Sequence, residues 1–174
     1  MNLRLAAGLL AAALAALPVS PAGAEVIACS AYRYLSGPPS PSYPDRTGAV
    51  LTDGSVGSPD FTDGSWAGFT ENPVIEFQFD KEYALDSVEV VYDVAAGPGL
   101  GAPAQIAVFV STDGTHFTRQ AAAVAFDRTE GVHRAAIPLY AASAGRVRIE
   151  VTRGAQWLFL SEVTFRGAPA AVPV

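Results

Sequence analysis

The sequence is poor in cysteine, histidine and clustered positive charge. Cys29 is the single cysteine in 174 residues, so neither an internal disulfide nor a zinc site built on several cysteines can form. Lys and Arg number 11 against 17 Asp and Glu, a formal net charge of −6 at pH 7. An acidic chain without a basic cluster argues against nucleic acid and anionic lipid as partners.

Long apolar runs are confined to the N-terminus. Arg4 precedes an Ala/Leu-rich run over Leu5–Leu17, Pro18 ends that run, and the small residues Ala22-Gly23-Ala24 follow. This order is typical of a secretory signal peptide over residues 1–24, cleaved after Ala24. The run is too short to span a bilayer. We therefore expect a secreted or periplasmic protein without a membrane span.

Cys29 leaves one alternative open. Val26-Ile27-Ala28-Cys29 loosely resembles a lipobox, in which the cysteine is acylated and becomes the mature N-terminus. However, the charged Glu25 lies between the apolar run and this cysteine, and a better cleavage site lies just upstream. The sequence favours a buried, inert thiol in the first strand, with a lipoprotein as the alternative.

After residue 24 the chain consists of short alternating segments separated by Gly, Pro, Asp and Ser, a pattern typical of β-sandwiches and barrels. Asp113-Gly114 lies between two such segments and predicts a hairpin. In Arg146–Val151 the valines and isoleucine alternate with charged residues, so the charges should face outward. The predicted strands are Val74–Phe79, Ser87–Val94, Gln105–Val110, Thr115–Arg119, Val132–Leu139, Arg146–Arg153 and Trp157–Phe165. We expect an all-β fold, a single antiparallel β-sandwich over residues 25–166 with a disordered tail over residues 167–174.

Several short motifs occur in an order that resembles one family. They are Tyr43-Pro44-Asp45, Leu51-Thr52-Asp53-Gly54, Trp66-Ala67-Gly68-Phe69, Ser111–Phe117 and Ser161-Glu162-Val163. This order resembles the discoidin or coagulation factor 5/8 type C domain, a galactose-binding-like jelly roll. The resemblance covers about Val26 to Arg166 and implies a non-catalytic domain that binds glycans and, less often, proteins or phospholipid headgroups. Family members usually have an Asp-Leu-Gly turn where this chain reads Phe79-Asp80-Lys81, so a different turn is expected there.

The resemblance also implies a structural calcium ion that ties an early loop to the last strand. The residues that would hold it are Asp53, Ser55, Ser58, Ser161 and Glu162. The two acids would supply carboxylates and the serines hydroxyl or carbonyl oxygens, toward the roughly six to eight oxygens that calcium prefers. In the alternative interpretation Asp53 caps an Asx turn and Glu162 is a solvated edge residue.

Sugar recognition needs an aromatic ring for stacking and side chains that hydrogen-bond hydroxyl groups. The candidates in predicted loops are Tyr34, Tyr43, Phe69, Arg128, His116 and His133. Trp66 and Trp157 lie near strand ends and are expected in the core. We expect the loops Tyr32–Gly48, Asp60–Asn72 and Asp127–His133 to converge on one rim, because loops vary chemically without cost to the fold.

Support for catalysis is thin. Gly97–Ala102 has the form of a dinucleotide-binding motif, but Pro98 and Pro103 exclude the helix that such a motif requires. Asp60 and Asp63 are close in sequence and could serve as paired catalytic carboxylates, but they are equally well explained as turn residues beside Gly64. The sequence therefore predicts an exported, non-enzymatic binding domain with a glycan as ligand. The alternative is a protein-interaction or envelope-structural domain.

Overall fold

The computed structural model describes residues 24–120 and 124–170. The predicted signal peptide, apart from Ala24, and the last four residues lie outside this part of the chain. The described residues form eight strands and no helix. The strands are β1 Glu25–Ile27, β2 Ala31–Ser36, β3 Ala67–Phe69, β4 Val74–Val94, β5 Pro103–Ser111, β6 Thr118–Gln120, β7 Gly131–Arg153 and β8 Leu158–Pro169.

The long strands β4 and β7 belong to both layers of a sandwich. The first part of β4 lies between β2 and the last part of β7. Beyond β7, β5 pairs with β7 and β6 pairs with β5. We call this the first layer. The second part of β4 lies between β8 and the first part of β7, and β8 also pairs with β1 and β3. This is the second layer. Every pairing of these strands is antiparallel, so the predicted all-β sandwich is confirmed.

Two boundary predictions are corrected by the continuity of these strands. No turn forms at Phe79-Asp80-Lys81, because β4 runs through this segment with a shift in register between Gln78 and Tyr83. Such irregularities bend a strand without reversing it, which lets one strand serve two layers. At the C-terminus β8 continues to Pro169, opposite Tyr83, so the strand extends three residues beyond the predicted domain end at Arg166.

The main core lies between the two layers. Ile75, Phe77 and Phe79 are buried on one face of β4, as their alternation predicts. The ring of Phe77 lies 5.1 Å from that of Phe165 on β8, and Phe79 lies 5.0 Å from the same ring. Each large side chain buried in this way contributes roughly 1.5–3 kcal/mol to folding.

A second, smaller core covers the outer side of the second layer. Its fully buried members are Trp66, Val91, Leu100 and Phe159. Strict alternation along β4 would place Val91 on the outer face, opposite to its neighbours Val90 and Tyr92. All three are buried because loops fold over the outer face of β4. Trp66 is 2% exposed, which confirms its predicted place in a core.

The position of β1 bears on the two predicted routes of N-terminal processing. Glu25–Ile27 pair with Phe165–Gly167 of β8. Cleavage after Ala24 would leave this strand intact, whereas cleavage before Cys29 would remove it. The thiol of Cys29 is half-buried and its Sγ donates to the carbonyl oxygen of Ala31 at 3.0 Å. Burial raises the pKa of this thiol.

Candidate functional site

Asp45 ties the Pro-rich loop after β2 to the sheet. The hydroxyl of Tyr34 donates to Asp45 Oδ2 at 3.0 Å, and the hydroxyl of Tyr32 donates to the same oxygen. The N–H of Val50 donates to Asp45 Oδ1 at 3.3 Å. Burial, followed by the neighbouring Tyr32 and Asp45, raises the pKa of Tyr34. The predicted ligand residue Tyr34 is therefore an anchor of the loop, and its ring lines a cavity of about 540 Å³.

Three half-buried rings meet at the loop end of the second layer: Tyr43, Phe61 and Trp157. We call them the aromatic rim. The Tyr43 ring lies 5.5 Å from that of Trp157 and 6.0 Å from that of Phe61. All three pack on the buried ring of Phe159, at 4.8 to 5.8 Å. Trp157 was predicted in the core, but it lies at the edge of the second core with part of its surface exposed.

Backbone hydrogen bonds set the position of Tyr43. Its carbonyl oxygen accepts from the N–H of Gly68 at 3.0 Å, and the carbonyl oxygen of Gly68 accepts from the N–H of Ser40 at 2.7 Å. A Cβ at position 68 would lie 2.8 Å from both Tyr43 Cβ and the ring of Phe159. Only glycine therefore lets the Pro-rich loop approach β3 this closely.

Phe61 is positioned by two Asx turns. Asp60 Oδ1 accepts from the N–H of Thr62 at 3.0 Å. Asp63 Oδ1 accepts from the N–H of Ser65 at 2.8 Å, which is the second turn, and Asp63 Oδ2 accepts from the N–H and the hydroxyl of Ser58 at 3.1 and 2.8 Å. These hydrogen bonds confirm the turn interpretation of both acids.

Ser58 is already used by this loop. Besides the two hydrogen bonds to Asp63, its carbonyl oxygen accepts from Trp66 Nε1 at 3.0 Å. Its side chain and its carbonyl both serve the loop that holds Trp66, and Ser58 is not among the residues that line the cavity of Asp53 and Glu162, so its role in a calcium site stays a prediction.

A cleft of about 180 Å³ opens beside the aromatic rim. It is lined by Ser42, Tyr43, Pro44, Arg46, Phe61, Thr62, Gly64 and Trp66. Sequence reasoning missed Phe61 and Arg46, since neither lies in a motif. Arg46 lies three residues after Tyr43 in the same loop, whereas Phe61 comes near Tyr43 only when the Pro-rich loop and the Asp60–Asp63 turn fold against each other.

The other predicted ligand residues are divided between the core and the surface. Phe69 is fully buried against Leu158 in the pairing of β3 with β8, so it offers no ring face to a ligand, contrary to expectation. Arg128 is exposed in the loop before β7. This loop is held by Tyr92, whose hydroxyl donates to the carbonyl oxygen of Asp127 at 3.0 Å.

Asp93 is a buried carboxyl group beneath the second core. It lies directly opposite Val132 on one side and Phe159 on the other, and it is 1% exposed. Burial raises its pKa, and Oδ2 has no hydrogen-bond partner among the described residues. Alternation along β4 placed Asp93 on the outer face, and no signal in the sequence shows that loops cover this face.

The two predicted metal carboxylates face the same cavity, of about 440 Å³. The loop that carries Asp53 is docked on β8, where Val163 N–H donates to the carbonyl oxygen of Leu51 at 2.7 Å. Gly54 N–H donates to Glu162 Oε2 at 3.1 Å. Burial raises the pKa of Glu162 to about 7, the negative charge of Asp53 adds to this rise, and the hydrogen bond from Gly54 opposes it.

Ser161 is the extra residue of a β-bulge beside this cavity. Val91 pairs with Glu162 and Tyr92 with Leu160, so Ser161 is left without a partner on β4. Its Oγ is buried and makes no hydrogen bond within the described residues. An orphaned hydroxyl on the residue before Glu162, whose carboxylate is repelled by Asp53, fits a bound cation.

The remaining calcium candidates fit less well. Asp53 Oδ1 accepts from the N–H of Ser55 at 2.7 Å, which is the predicted Asx turn. Among the described residues, no three His, Cys, Asp or Glu side chains lie close enough together to hold a metal ion by themselves. Backbone carbonyl oxygens would have to complete the shell.

The two histidines lie in different loops. His116 Nδ1 is 2.6 Å from Asp113 Oδ2 in the β5–β6 hairpin, where both side chains are exposed, and this hydrogen bond raises the pKa of His116. His133 Nε2 lies 2.7 Å from the carbonyl oxygen of Thr129. Neither histidine contacts the aromatic rim in these interactions.

No protein-family model matches the chain, and no curated protein matches it. Solved structures, however, share its fold. A Clostridium perfringens module, CpGH89CBM32-5 in complex with GalNAc-β-1,3-galactose, aligns with a TM-score of 0.55 and 13% identity over 77% of this chain and 92% of that chain. The CBM32 of AlyQ in complex with 4,5-unsaturated mannuronic acid aligns with a TM-score of 0.52 and 14% identity over 81% and 97%.

A truncated AlyQ with CBM32 and alginate lyase domains also aligns, with a TM-score of 0.55 and 12% identity. The alignment covers 87% of this chain but 35% of that longer one. At these identities the likeness establishes a fold, the β-sandwich of CBM32 carbohydrate-binding modules. Membership of the discoidin family itself stays a prediction. Among the described residues, no helix has the length and hydrophobicity needed to cross a membrane.

Proposed function

We propose that the protein is an exported, non-catalytic glycan-binding module and that the aromatic rim is its ligand site. The observation that carries this proposal is the meeting of Tyr43, Phe61 and Trp157 on loops at one end of the sandwich, beside the exposed Arg46. Partly exposed rings stack on the C–H face of a pyranose, and a guanidinium donates to its hydroxyls. The complexes of similar modules with sugars support the ligand class.

The dimensions of the rim indicate weak, shallow binding. Its cleft of about 180 Å³ is smaller than the roughly 300–1,000 Å³ of ordinary small-molecule pockets. A ligand would therefore stay largely solvated and contact the rim through one or two sugar units. We expect affinities on the order of millimolar to tens of micromolar, about 4 to 7 kcal/mol.

Retention of the purified protein in gels that contain neutral polysaccharides tests this site. Tyr43→Leu and Phe61→Leu should each weaken retention about three- to tenfold, because each removes a stacking ring. Phe69→Leu is the matched control, since it alters a buried aromatic of the same loop–strand region that no ligand reaches. Equal retention of parent and rim variants would refute the site, and no retention on any glycan would favour the protein-interaction alternative.

We also propose that a calcium ion stabilises the loop at Asp53 and Glu162. The two carboxylates and the unpartnered Ser161 hydroxyl would hold it, and the ion would fasten the loop to β8. Calcium at a hundredfold excess over its dissociation constant would stabilise the fold by about 2.7 kcal/mol. Chelation should lower the melting temperature of the parent and leave Asp53→Asn unaffected, with Asp63→Asn as the control that keeps the response. Identical melting of the parent with and without chelator would refute the ion.

A further inference from the structure

A row of mostly charged residues crosses all five strands of the first layer. In strand order, the register places Arg33, Glu76, Arg148, Phe109 and Arg119 directly opposite one another. Directly paired residues share one face of a sheet, and their neighbours along each strand point to the other face. Since those neighbours on β4, β7 and β5 are buried in the main core, the row lies on the outer face.

Three guanidinium groups surround the single carboxylate of Glu76. Arg33 Nη2 donates to Oε1 at 2.8 Å, and Arg146 Nη1 donates to the same oxygen at 3.3 Å. Arg148 Nη2 donates to Oε2 at 3.2 Å. Glu76 is 4% exposed, so these cations cover it almost completely. We call Arg33, Arg146, Arg148 and Arg119 the arginine face.

Burial of Glu76 does not account for the number of arginines. A buried carboxylate needs a partner to offset its lost hydration, and one well-placed guanidinium provides it. Each guanidinium has several N–H donors, of which Glu76 accepts one apiece. Glu150 lies on the same face without an ion pair among the described residues. The face therefore carries excess positive charge on a chain whose net charge is −6.

Packing holds Arg146 and Arg148 in place. The Arg148 guanidinium carbon lies 4.0 Å from the centroid of the Phe117 ring, and its Nε is buried without a hydrogen-bond partner among the described residues. The Arg146 side chain packs over Gly114, where a Cβ would come within 2.9 Å of Arg146 Nε. The side chain of Arg33 is 65% exposed, that of Arg146 35% and that of Arg148 29%. Such preorganised donors lose little entropy when they bind an anion.

We propose that the arginine face binds the carboxylates of an acidic polysaccharide, one built from uronic acids. Arginine pairs with carboxylates through two parallel hydrogen bonds. Neighbouring strands lie about 4.8 Å apart, so the row from Arg33 to Arg119 extends about 19 Å, which suits an extended chain of repeated carboxylates better than a single anion. A nucleic acid would require a strongly basic domain, whereas the sequence pI is about 4.8. The inference shares the glycan ligand class with the proposed function but concerns a different surface.

Gel retention on polygalacturonate and on its methyl-esterified form tests the inference, because the two polymers differ only in their free carboxylates. The parent should be retained by polygalacturonate, less so as salt increases. Arg33→Gln combined with Arg119→Gln should weaken this retention about tenfold, because each substitution removes one charge-assisted hydrogen bond to the polymer. Lys81→Gln, which removes one charge at an exposed position outside the row as Arg119→Gln alone does within it, should leave retention unchanged. Arg119→Gln alone is informative if the double variant folds poorly, since Arg119 makes no ion pair among the described residues.

Three outcomes would overturn the proposal: equal retention of the parent and the arginine variants, equal retention on the acidic and the esterified polymer, or equally tight binding of single-stranded DNA. Failure of the aromatic rim gives a different result. In that case Tyr43→Leu leaves neutral-glycan retention unchanged, while polygalacturonate still retains the arginine variants less strongly than the parent.

Discussion

Glu76 in the first layer and Glu162 in the second are nearly equally buried, with 4% and 7% of their surface exposed. Burial tends to raise the pKa of both. At Glu162 it does so, to about 7, and the nearby Asp53 adds to the effect. At Glu76, hydrogen bonds from Arg33 and Arg148 and their positive charges outweigh burial, and the pKa is lowered.

The contrast shows that the surroundings, rather than the depth, decide what each carboxylate can bind. At Glu162, burial and the negative charge of Asp53 outweigh the opposing charge of Arg134, so the carboxylate favours a further cation. Two basic residues, Arg134 and Arg166, line the same cavity, and Arg134 is paired with Glu89 at 2.6 Å. The other glutamate is contacted by three guanidinium groups, more than its single charge can neutralise, which favours an anion there. The two layers therefore carry candidate sites of opposite charge.

The largest expected difference between the two glutamates is in how the free energy of unfolding depends on pH in the absence of calcium. The folded pKa of Glu162 lies above its ordinary value of 4.5, so its stabilising contribution is full below pH 4.5 and is lost as the pH rises through about 7. The loss amounts to at most about 3 kcal/mol. Glu76 has the opposite sign, since its contribution is present above the ordinary pKa and lost on acidification.

Denaturant unfolding of the parent and of Glu162→Gln in chelator, between pH 4.5 and 7.5, measures this difference. The parent should lose stability relative to the variant as the pH rises, and added calcium should remove the difference. A constant gap between the two proteins across this range would show that Glu162 has an ordinary pKa.

The next effect is the response of each layer to removal of its carboxylate charge. Glu76→Gln leaves the guanidinium groups of the arginine face without their anion and should destabilise the protein by about 1–3 kcal/mol. Glu162→Gln relieves the repulsion with Asp53 and should be neutral or slightly stabilising in chelator at pH 7.5. Unfolding curves at low ionic strength compare the two variants. Equal destabilisation would mean that burial alone governs both sites.

The smallest effect is expected at Phe117. Its ring supports the Arg148 guanidinium, and Phe117→Leu should cost about 0.5–1 kcal/mol because it removes the cation–π interaction. Phe109→Leu is the matched control, a half-buried ring in the same row for which no such interaction is observed among the described residues. If the two variants are equally stable, the ring contributes only apolar area.

Sequence patterns correctly predicted the features that depend on residues close to one another in the chain. The alternation at Ile75, Phe77 and Phe79 gave the buried face of β4, and Asp113-Gly114 gave the β5–β6 hairpin. The Asx turns at Asp60 and Asp63 follow from their own sequence neighbours in the same way. The alternation in Arg146–Val151 placed the arginines outward, as observed.

Features that depend on long-range packing were not predictable. The sequence contains no basic cluster, yet Arg33 on β2 and Arg146 and Arg148 on β7 reach the same Glu76 on β4. Phe69 lies in a motif that suggested an exposed loop, and pairing of β3 with β8 buries it completely. Phe61 entered the candidate site only because its loop folds over the outer face of β4. In each case packing between distant segments decided the outcome.

Titration of the side-chain carboxyl carbons by NMR, in chelator and then with calcium, tests the contrast between the two glutamates most directly. Glu162 should titrate near pH 7 in chelator and well below that when calcium is added. Glu76 should titrate below the ordinary value of 4.5 in both conditions. Two glutamates that both titrate near 4.5, with no response to calcium, would contradict the assignment of a cation to one layer and an anion to the other.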